Sequence, residues 1–221
     1  MRQTVLSVDR SDLAEYVDCQ IRNLLPMKSG NENDLRLIEL HLEESLIRVQ
    51  RCIDEVSMWR TGVFDVLHST QYCIFLYYLA NTIWRHEEHS DTCTRLFLVN
   101  KALNAIDLFY EIQMPEVFFI GHTAGIVLAK AQYDNFLVLY QNSTVGKNHG
   151  DAPTIEAGCI MYPNTAIIGE CLVRRNTTVA QGVSVINQDT QVGRIAFQGN
   201  NGELIFREPK HIIQRDFFRS I

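Results

Sequence analysis

His122 stands in the run Ile120-Gly121-His122-Thr123-Ala124-Gly125-Ile126-Val127, among small residues that leave room for a ligand. An imidazole titrates near neutral pH, so a histidine in such a setting can act as a general base and take the proton of a hydroxyl. Spacing alone leaves a plain surface histidine equally open. The other titratable clusters carry less chemistry. His86-Glu87-Glu88-His89 lacks the H-E-x-x-H order of a zinc hydrolase, and its histidines fall three apart at the end of an expected helix. It reads as a solvated terminus, with no metal site. His68, in Asp65-Val66-Leu67-His68-Ser69, could face a site from the helical part of the chain. The six cysteines, Cys19, Cys52, Cys73, Cys93, Cys159 and Cys171, are scattered without a C-x-x-C pair. They read as buried free thiols of a reducing compartment, neither a disulfide framework nor a zinc site.

Two kinds of element must position these residues. Toward the C-terminal end Ile155, Met161, Ile167, Val173, Val179 and Val185 recur at intervals of six. Three residues after each comes Gly158, Asn164, Glu170, Asn176, Gly182 or Gln188, a mostly small or polar set suited to corners. That period is the signature of a parallel β-helix, in which three short strands close a coil of about eighteen residues and the aliphatic side chains point inward. Weaker hexapeptides precede it at Phe118 to Ile120, Gly125 to Leu128, Phe136 to Tyr140 and Ser143 to Gly146. Lys147 to Pro153 interrupts the beat and reads as an extruded loop. After Val185 the repeat decays into Arg194 to Gln198, a Gly199-Asn200-Asn201-Gly202 turn and Glu203 to Phe206. These predict a terminal hairpin that caps the open end of the coils.

The N-terminal half reads as helical. Leu35, Ile38, Leu42, Leu46, Val49, Ile53 and Val56 form one apolar stripe, with Glu39, Glu43, Glu44, Arg48 and Arg51 on the remaining faces. Pro26 to Asn31 reads as a loop, Gly62 as a break before the helix carrying Gln71 to Trp84, and Thr92 to Tyr110 as a further helix. Pro115 then ends helical continuity. The fold class is α+β: a helical domain over residues 1–112, a parallel β-helix over 113–193, and a hairpin and tail over 194–221.

Composition narrows the classes. The chain is 46% hydrophobic and 21% charged with a net charge of -6, which suits a globular core and argues against general nucleic-acid binding. Tyr72 to Trp84 is the longest apolar stretch, about thirteen residues, short of the ~18 to 20 that span a bilayer. A buried helix is expected there, with no membrane span. Met1-Arg2-Gln3 leads into Asp9, Arg10 and Asp12 without an apolar segment, which predicts no signal peptide and a cytoplasmic protein.

The order of these features resembles the serine acetyltransferase family over roughly residues 60 to 190. An all-helical region is followed by His122-x-x-Gly125-Ile126-Val127, then Gln141-Asn142-Ser143-Thr144-Val145-Gly146, a loop and regular hexapeptides. The resemblance implies a left-handed β-helix, acetyl-CoA as cosubstrate, no metal, and a homotrimer or dimer of trimers. It makes His122 the catalytic base, paired with a carboxylate shortly before the β-helix. Glu111 and Glu116 are the candidates, and Glu111 fits better by local context. Gly146 matches a glycine that lets pantetheine pass close to the backbone, Tyr162-Pro163 borders it, and Lys147, Arg174 and Arg175 are available for phosphates. In many members a C-terminal tail ending in isoleucine binds cysteine synthase, and Ile221 ends this chain.

Two departures fall on the acceptor. The family's aspartate before the histidine is Gly121 here, and the arginine-histidine pair before the loop proline is Asp151-Ala152. Those charges hold the serine zwitterion. Glu116, Asp65, His149 and Asp151 remain as acceptor-binding candidates. The expected function is an acyl-CoA-dependent O-acyltransferase acting on a small hydroxyl acceptor, resembling serine O-acetyltransferase. A sugar acceptor, as in surface polysaccharide assembly, and a catalytically silent β-helix assembly protein are the alternatives.

Overall fold

The structure, a computed structural model, describes residues 5–26, 33–88 and 91–221. It divides into two compact units, Met1–Asp54 with Trp59–Glu111, and Glu55–Met58 with Ile112–Ile221. The loop expected from Pro26 to Asn31 lies, from Met27 onward, outside the described residues, as does His89.

The first unit holds α1 (Arg10–Leu24), α2 (Asp34–Glu55), α3 (Ser69–Glu87) and α4 (Asp91–Asn104), with β1 (Val5–Leu6) parallel to β2 (Val63–Phe64). Every residue of α3 from Thr70 to Ile83 is buried, the expected fate of a helix apolar on all sides. Among the described residues no helix is long and apolar enough to cross a membrane. The helix expected from Thr92 to Tyr110 stops at Asn104. Ala105 adopts a left-handed conformation (φ 52°) and its N–H closes on the Lys101 carbonyl at 3.0 Å, an αL cap, before the short β3 (Asp107–Leu108).

Two arginines of this unit are structural. Arg95 makes a two-pronged bond to Asp34, Nε to Oδ2 at 2.8 Å and Nη2 to Oδ1 at 2.7 Å, and the Thr92 hydroxyl donates to Oδ1 at 2.6 Å. Arg48, expected off the apolar stripe, lies half-buried over the Tyr78 ring and donates to Thr82 Oγ1 and Asn81 Oδ1, both at 2.7 Å. Its guanidinium finds partners that periodicity does not reveal, because α3 offers two polar side chains in an otherwise apolar run.

The second unit is a left-handed parallel β-helix. Its first face stacks β4 (Phe118–Ile120), β7 (Leu137–Leu139), β10 (Ile160–Met161), β13 (Thr178–Val179) and β15 (Ile195–Gln198). The second face stacks β5 (Val127–Leu128), β8 (Thr144–Gly146), β11 (Ala166–Ile168) and β14 (Ser184–Ile186), and the third β6 (Gln132–Tyr133), β9 (Thr154–Ile155) and β12 (Leu172–Val173). All six aliphatic residues of the regular beat are fully buried. They align in columns: Ile120, Leu139, Met161, Val179 and Ala196 on the first face, Leu128, Val145, Ile167 and Val185 on the second, Tyr133, Ile155 and Val173 on the third.

The corners are built by glycine and asparagine in left-handed backbone. Gly125, Gly158 and Gly169 have φ of 76°, 74° and 83°, and a Cβ on any of them would come within 2.2 Å of the Oδ1 of Asn142, Asn176 or Asn187 one coil further on. Each glycine is therefore held by its conformation and by the asparagine stacked on it. β16 (Leu204–Arg207) pairs antiparallel with β15, forming the expected terminal hairpin.

The last residues fold back on the same unit. Gln214 Nε2 donates to the Gly158 and Asn176 carbonyls at 2.8 and 3.3 Å, and Phe218 bridges Val56. The Ser57 N–H reaches Phe217 O at 2.8 Å, and Arg219 Nη1 reaches Val56 O at 2.6 Å. All six cysteines are free, and Cys19 alone of them is exposed. Burial pushes the thiols of Cys73 and Cys159 up to about 12, which makes them inert core groups.

Candidate functional site

The six-residue beat gains residues at two places, both bordering the second face, and is one residue short between Leu128 and Tyr133. In the later coils the inward residue of the first face precedes that of the second by six positions, as Met161 precedes Ile167. In the first coil Ile120 precedes Leu128 by eight. The corner between them therefore carries two extra residues, and His122 is in that bulge. Its turn closes with the Ile126 N–H on Thr123 O at 3.2 Å, and Gly125 supplies the positive φ that the turn needs at its third residue.

The second break lies at the opposite edge of the same face. Val145 pairs with Ile167, 22 positions on, whereas Ile167 pairs with Val185, 18 positions on. The four additional residues form a tight hairpin in which the N–H groups of Asn148 and Asp151 donate to each other's carbonyls at 3.0 and 2.9 Å. His149 and Gly150, with φ of 50° and 100°, make the type I′ turn at its tip. His149 and Asp151 are exposed on this hairpin.

Beside His122 stands an aromatic stack that begins at Tyr140. Gly121, Tyr140 and Tyr162 follow the inward Ile120, Leu139 and Met161, so they stack one above another, with the Gly121 N–H on Leu139 O and the Tyr140 N–H on Met161 O at 2.8 and 3.1 Å. The Tyr140 ring lies 5.6 Å from Tyr162, stacked at 28°, and 6.4 Å from the His122 ring, tilted at 59°. Phe217 of the tail meets Tyr140 edge-on at 6.3 Å. A Cβ at Gly121 would sit 2.5 Å from Tyr140 Cε1, so the ring occupies the space into which a side chain at 121 would project. His122 itself is exposed and, within its unit and among the described residues, its side chain has no hydrogen bond or ion pair. Just after Tyr140, Gln141 Oε1 is buried without a donor among the described residues.

The remaining candidates divide by edge. Gly146 and Lys147 lie at the end of β8, and Tyr162-Pro163 lead toward β11, so both pairs border the second face as His122 does. Gly146 differs from the corner glycines. Its φ is not positive, and a Cβ there would meet Ile168 at an ordinary 3.5 Å. The fold does not require that glycine, and its lack of a side chain opens the strip of face it lies on. Arg174-Arg175 lie on the far edge, between β12 and β13. Arg174 pairs with Glu156 at 3.6 Å, and the Arg175 N–H donates to the same carboxylate at 2.7 Å. Within one chain the structure does not bring them to the edges that hold His122.

Glu116 is exposed in the segment before β4, whereas Glu111 is the last residue of the helical unit and half-buried. Asp65 belongs to the helical unit, where its carboxylate accepts from the Leu67 N–H at 2.9 Å. His68 caps α3, accepting from the Gln71 N–H. Of the histidine-glutamate run, His86 pairs with Glu44 at 2.7 Å and Glu87 with His41 at 2.9 Å. No group of three or more metal-ligating side chains that could hold a metal ion occurs among the described residues.

Sequence reasoning missed Tyr140 and the role of Gly121 beside it. The signal was available, since Tyr140 and Tyr162 each follow the inward aliphatic residue, the position Gly121 holds one coil earlier. Burial raises the hydroxyl pKa of both tyrosines, with each other's charge adding for Tyr140 and that of Asp216 for Tyr162, so both are neutral at physiological pH.

No protein-family model and no curated protein sequence matches the chain. Among solved structures it is similar to the serine acetyltransferase of Brucella abortus strain S19, at 17% identity over 89% of this chain and 85% of that one, with a TM-score of 0.66. The same Brucella abortus enzyme in complex with coenzyme A matches at 15% identity over 89% and 83%, with a TM-score of 0.64. Soybean serine acetyltransferase apoenzyme matches at 16% over 87% and 84%, with a TM-score of 0.65. At such identities the likeness concerns architecture: the chain has the fold of the serine acetyltransferases, a helical domain followed by a left-handed parallel β-helix.

Proposed function

We propose that this protein is an acyl-CoA-dependent O-acyltransferase that moves an acetyl group from acetyl-CoA to a hydroxyl, with His122 as general base. The observation that carries the reading is the pair of breaks in the β-helix that flank one face, one bearing an exposed histidine and the other an extruded hairpin. The His122 imidazole takes the proton of the acceptor hydroxyl, whose oxygen attacks the thioester carbonyl. A backbone N–H near the corner steadies the oxyanion. Collapse releases the coenzyme A thiolate, which the imidazolium reprotonates. The step needs neither a metal nor a covalent enzyme intermediate, and much of the rate gain comes from holding two substrates in register. A carboxylate, Glu111 or Glu116, is assigned the task of orienting the imidazole and balancing its charge.

The pantetheine arm is assigned to the strip beside Gly146, with Tyr162-Pro163 along it and Lys147 available for phosphate. A homotrimer of β-helices, or a dimer of such trimers, is the assembly in which neighbouring faces would form that groove. Lacking the two acceptor-binding charges at Gly121 and Asp151-Ala152, the site is not one for the L-serine zwitterion; His149 and Asp151 stay acceptor-binding candidates on the hairpin at the opposite edge of the second face from His122. The tail that would carry a cysteine synthase partnership is bonded to its own unit through Gln214 and Arg219.

Release of free thiol from acetyl-CoA, followed with a panel of hydroxyl acceptors, tests the proposal. Turnover with a neutral hydroxyl compound and little with L-serine is the expected result. Absence of acceptor-dependent release, together with absence of coenzyme A binding, would instead favour a silent assembly protein.

The two classes of glycine make a second test. Gly146→Ala should leave the thermal midpoint nearly unchanged while weakening coenzyme A binding several-fold by calorimetry. Gly158→Ala should cost about 1–3 kcal/mol of stability, through its positive φ and the clash with Asn176, and leave coenzyme A affinity of the folded fraction intact. Equal loss of stability in both variants would remove the role assigned to Gly146.

A further inference from the structure

We propose that the acceptor is a neutral carbohydrate, and that it lies on the Tyr140 ring beside His122; this rests on the O-acyltransferase reading above. Three observations converge on one patch. Tyr140 fills the space a side chain at position 121 would need, its ring 2.5 Å from where a Cβ would stand, so no carboxylate can be presented there to an acceptor ammonium. Tyr162 backs one face of that ring at 5.6 Å, Phe217 steadies its edge, and Gly121 places no side chain over the other face. The ring is thus fixed in place and half-buried, with its centroid 6.4 Å from that of the His122 imidazole.

The chemistry this patch presents is specific. An aromatic face carries negative π density and attracts the polarised C–H groups on the flat side of a pyranose, while excluding water from it. A ring laid there keeps its hydroxyls at the rim, where His122 can take a proton. The Tyr140 and Tyr162 hydroxyls have no hydrogen-bonding partner among the described residues and are free to meet the other rim hydroxyls. The stack of Gly121, Tyr140 and Tyr162 is itself made of neutral groups, which suits a neutral ligand, and the charge of Asp216 reaches it only at the Tyr162 end.

Saturation-transfer NMR on the protein, with methyl glucoside, methyl galactoside, methyl N-acetylglucosaminide and L-serine as probes, separates this proposal from the catalytic one. At least one glycoside should bind the wild type through its ring C–H protons, and L-serine should not. His122→Ala should retain that binding, since the base is not the platform. Tyr140→Leu, which keeps an apolar side chain of comparable bulk without a π face, should weaken it about tenfold or more, and Tyr140→Phe should keep most of it. Circular dichroism would confirm that the variants are folded. Glycoside binding unaffected by Tyr140→Leu, or L-serine binding in preference to every glycoside, would overturn the platform. So would no glycoside binding at all. Glycoside binding that depends on Tyr140, without any His122-dependent thiol release, would keep the platform and sink the acyltransferase reading.

Discussion

Replacing His122 by alanine is expected to lower turnover about a thousandfold, within the 10²–10⁴ range of general acid–base catalysis, while coenzyme A still binds. The chain makes this a clean experiment. His122 is exposed on a two-residue bulge, its side chain bonds to nothing in its own unit among the described residues, and its one ring neighbour is Tyr140 at 6.4 Å. The substitution removes no core contact, so the thermal midpoint should stay within about a degree or two, as for an ordinary surface change. Loss of kcat at constant coenzyme A affinity is the signature of a group that acts on the proton in the transition state. Added free imidazole should restore part of the rate, because the site is open at that corner. A variant that turns over at the wild-type rate would end the assignment of His122 as base, whatever the acceptor proves to be.

The largest effect on stability is expected in the helical unit, at a pair the mechanism does not use. Arg95→Met leaves Asp34, which is 0% exposed, without two charged hydrogen bonds, while the Thr92 hydroxyl still donates to it. Stranding a buried carboxylate in this way costs about 3–5 kcal/mol. Against a usual total of about 5–15 kcal/mol, that loss should lower the urea midpoint of the helical circular-dichroism signal sharply, or leave the unit unfolded at 37 °C. Asp34→Asn combined with Arg95→Met should recover part of it, because the stranded charge is then gone. The same double change would recover nothing if the single variant acted only through lost packing. The pair fixes the start of α2 against α4, so it shapes the helical unit without touching the β-helix.

The repeat and its exceptions had different legibility. Each inward aliphatic residue announces itself within six positions, which is why the β-helix, its terminal hairpin and the extruded loop could all be read from local pattern. The fully buried α3 was equally plain, because a run apolar on every side can satisfy itself only inside a core. The end of α4 was not: Ala105 in left-handed backbone follows from how the chain is drawn onward, and alanine carries no propensity for it. The burial of Arg48 was hidden for a related reason, since a charge on a helix surface becomes buried only if the neighbouring helix supplies Asn81 and Thr82.

The candidate site shows the same division. His122 was legible from its type and its small neighbours, and the missing acceptor charges were legible by resemblance. Its position on a bulge was not, because the extra two residues are visible only once the register of the coil above is known. Gly121 reads in the sequence as an absence, and the structure makes it a consequence: Tyr140, one coil and 19 residues later, already occupies its space. The tail's attachment to residues 55–58 joins segments about 160 positions apart, which no local pattern can encode.

What the sequence determined alone was the period, hence the β-helix and its helical preface, because burial at fixed spacing is a property of neighbours along the chain; it offered His122 as a candidate base. What only the tertiary structure decided was which residues meet across coils: the glycine under its asparagine, the ring over Gly121, the phenylalanines of the tail against the first face. Those contacts depend on stacking register, and register is set by the sum of every insertion between two coils and not by any one of them.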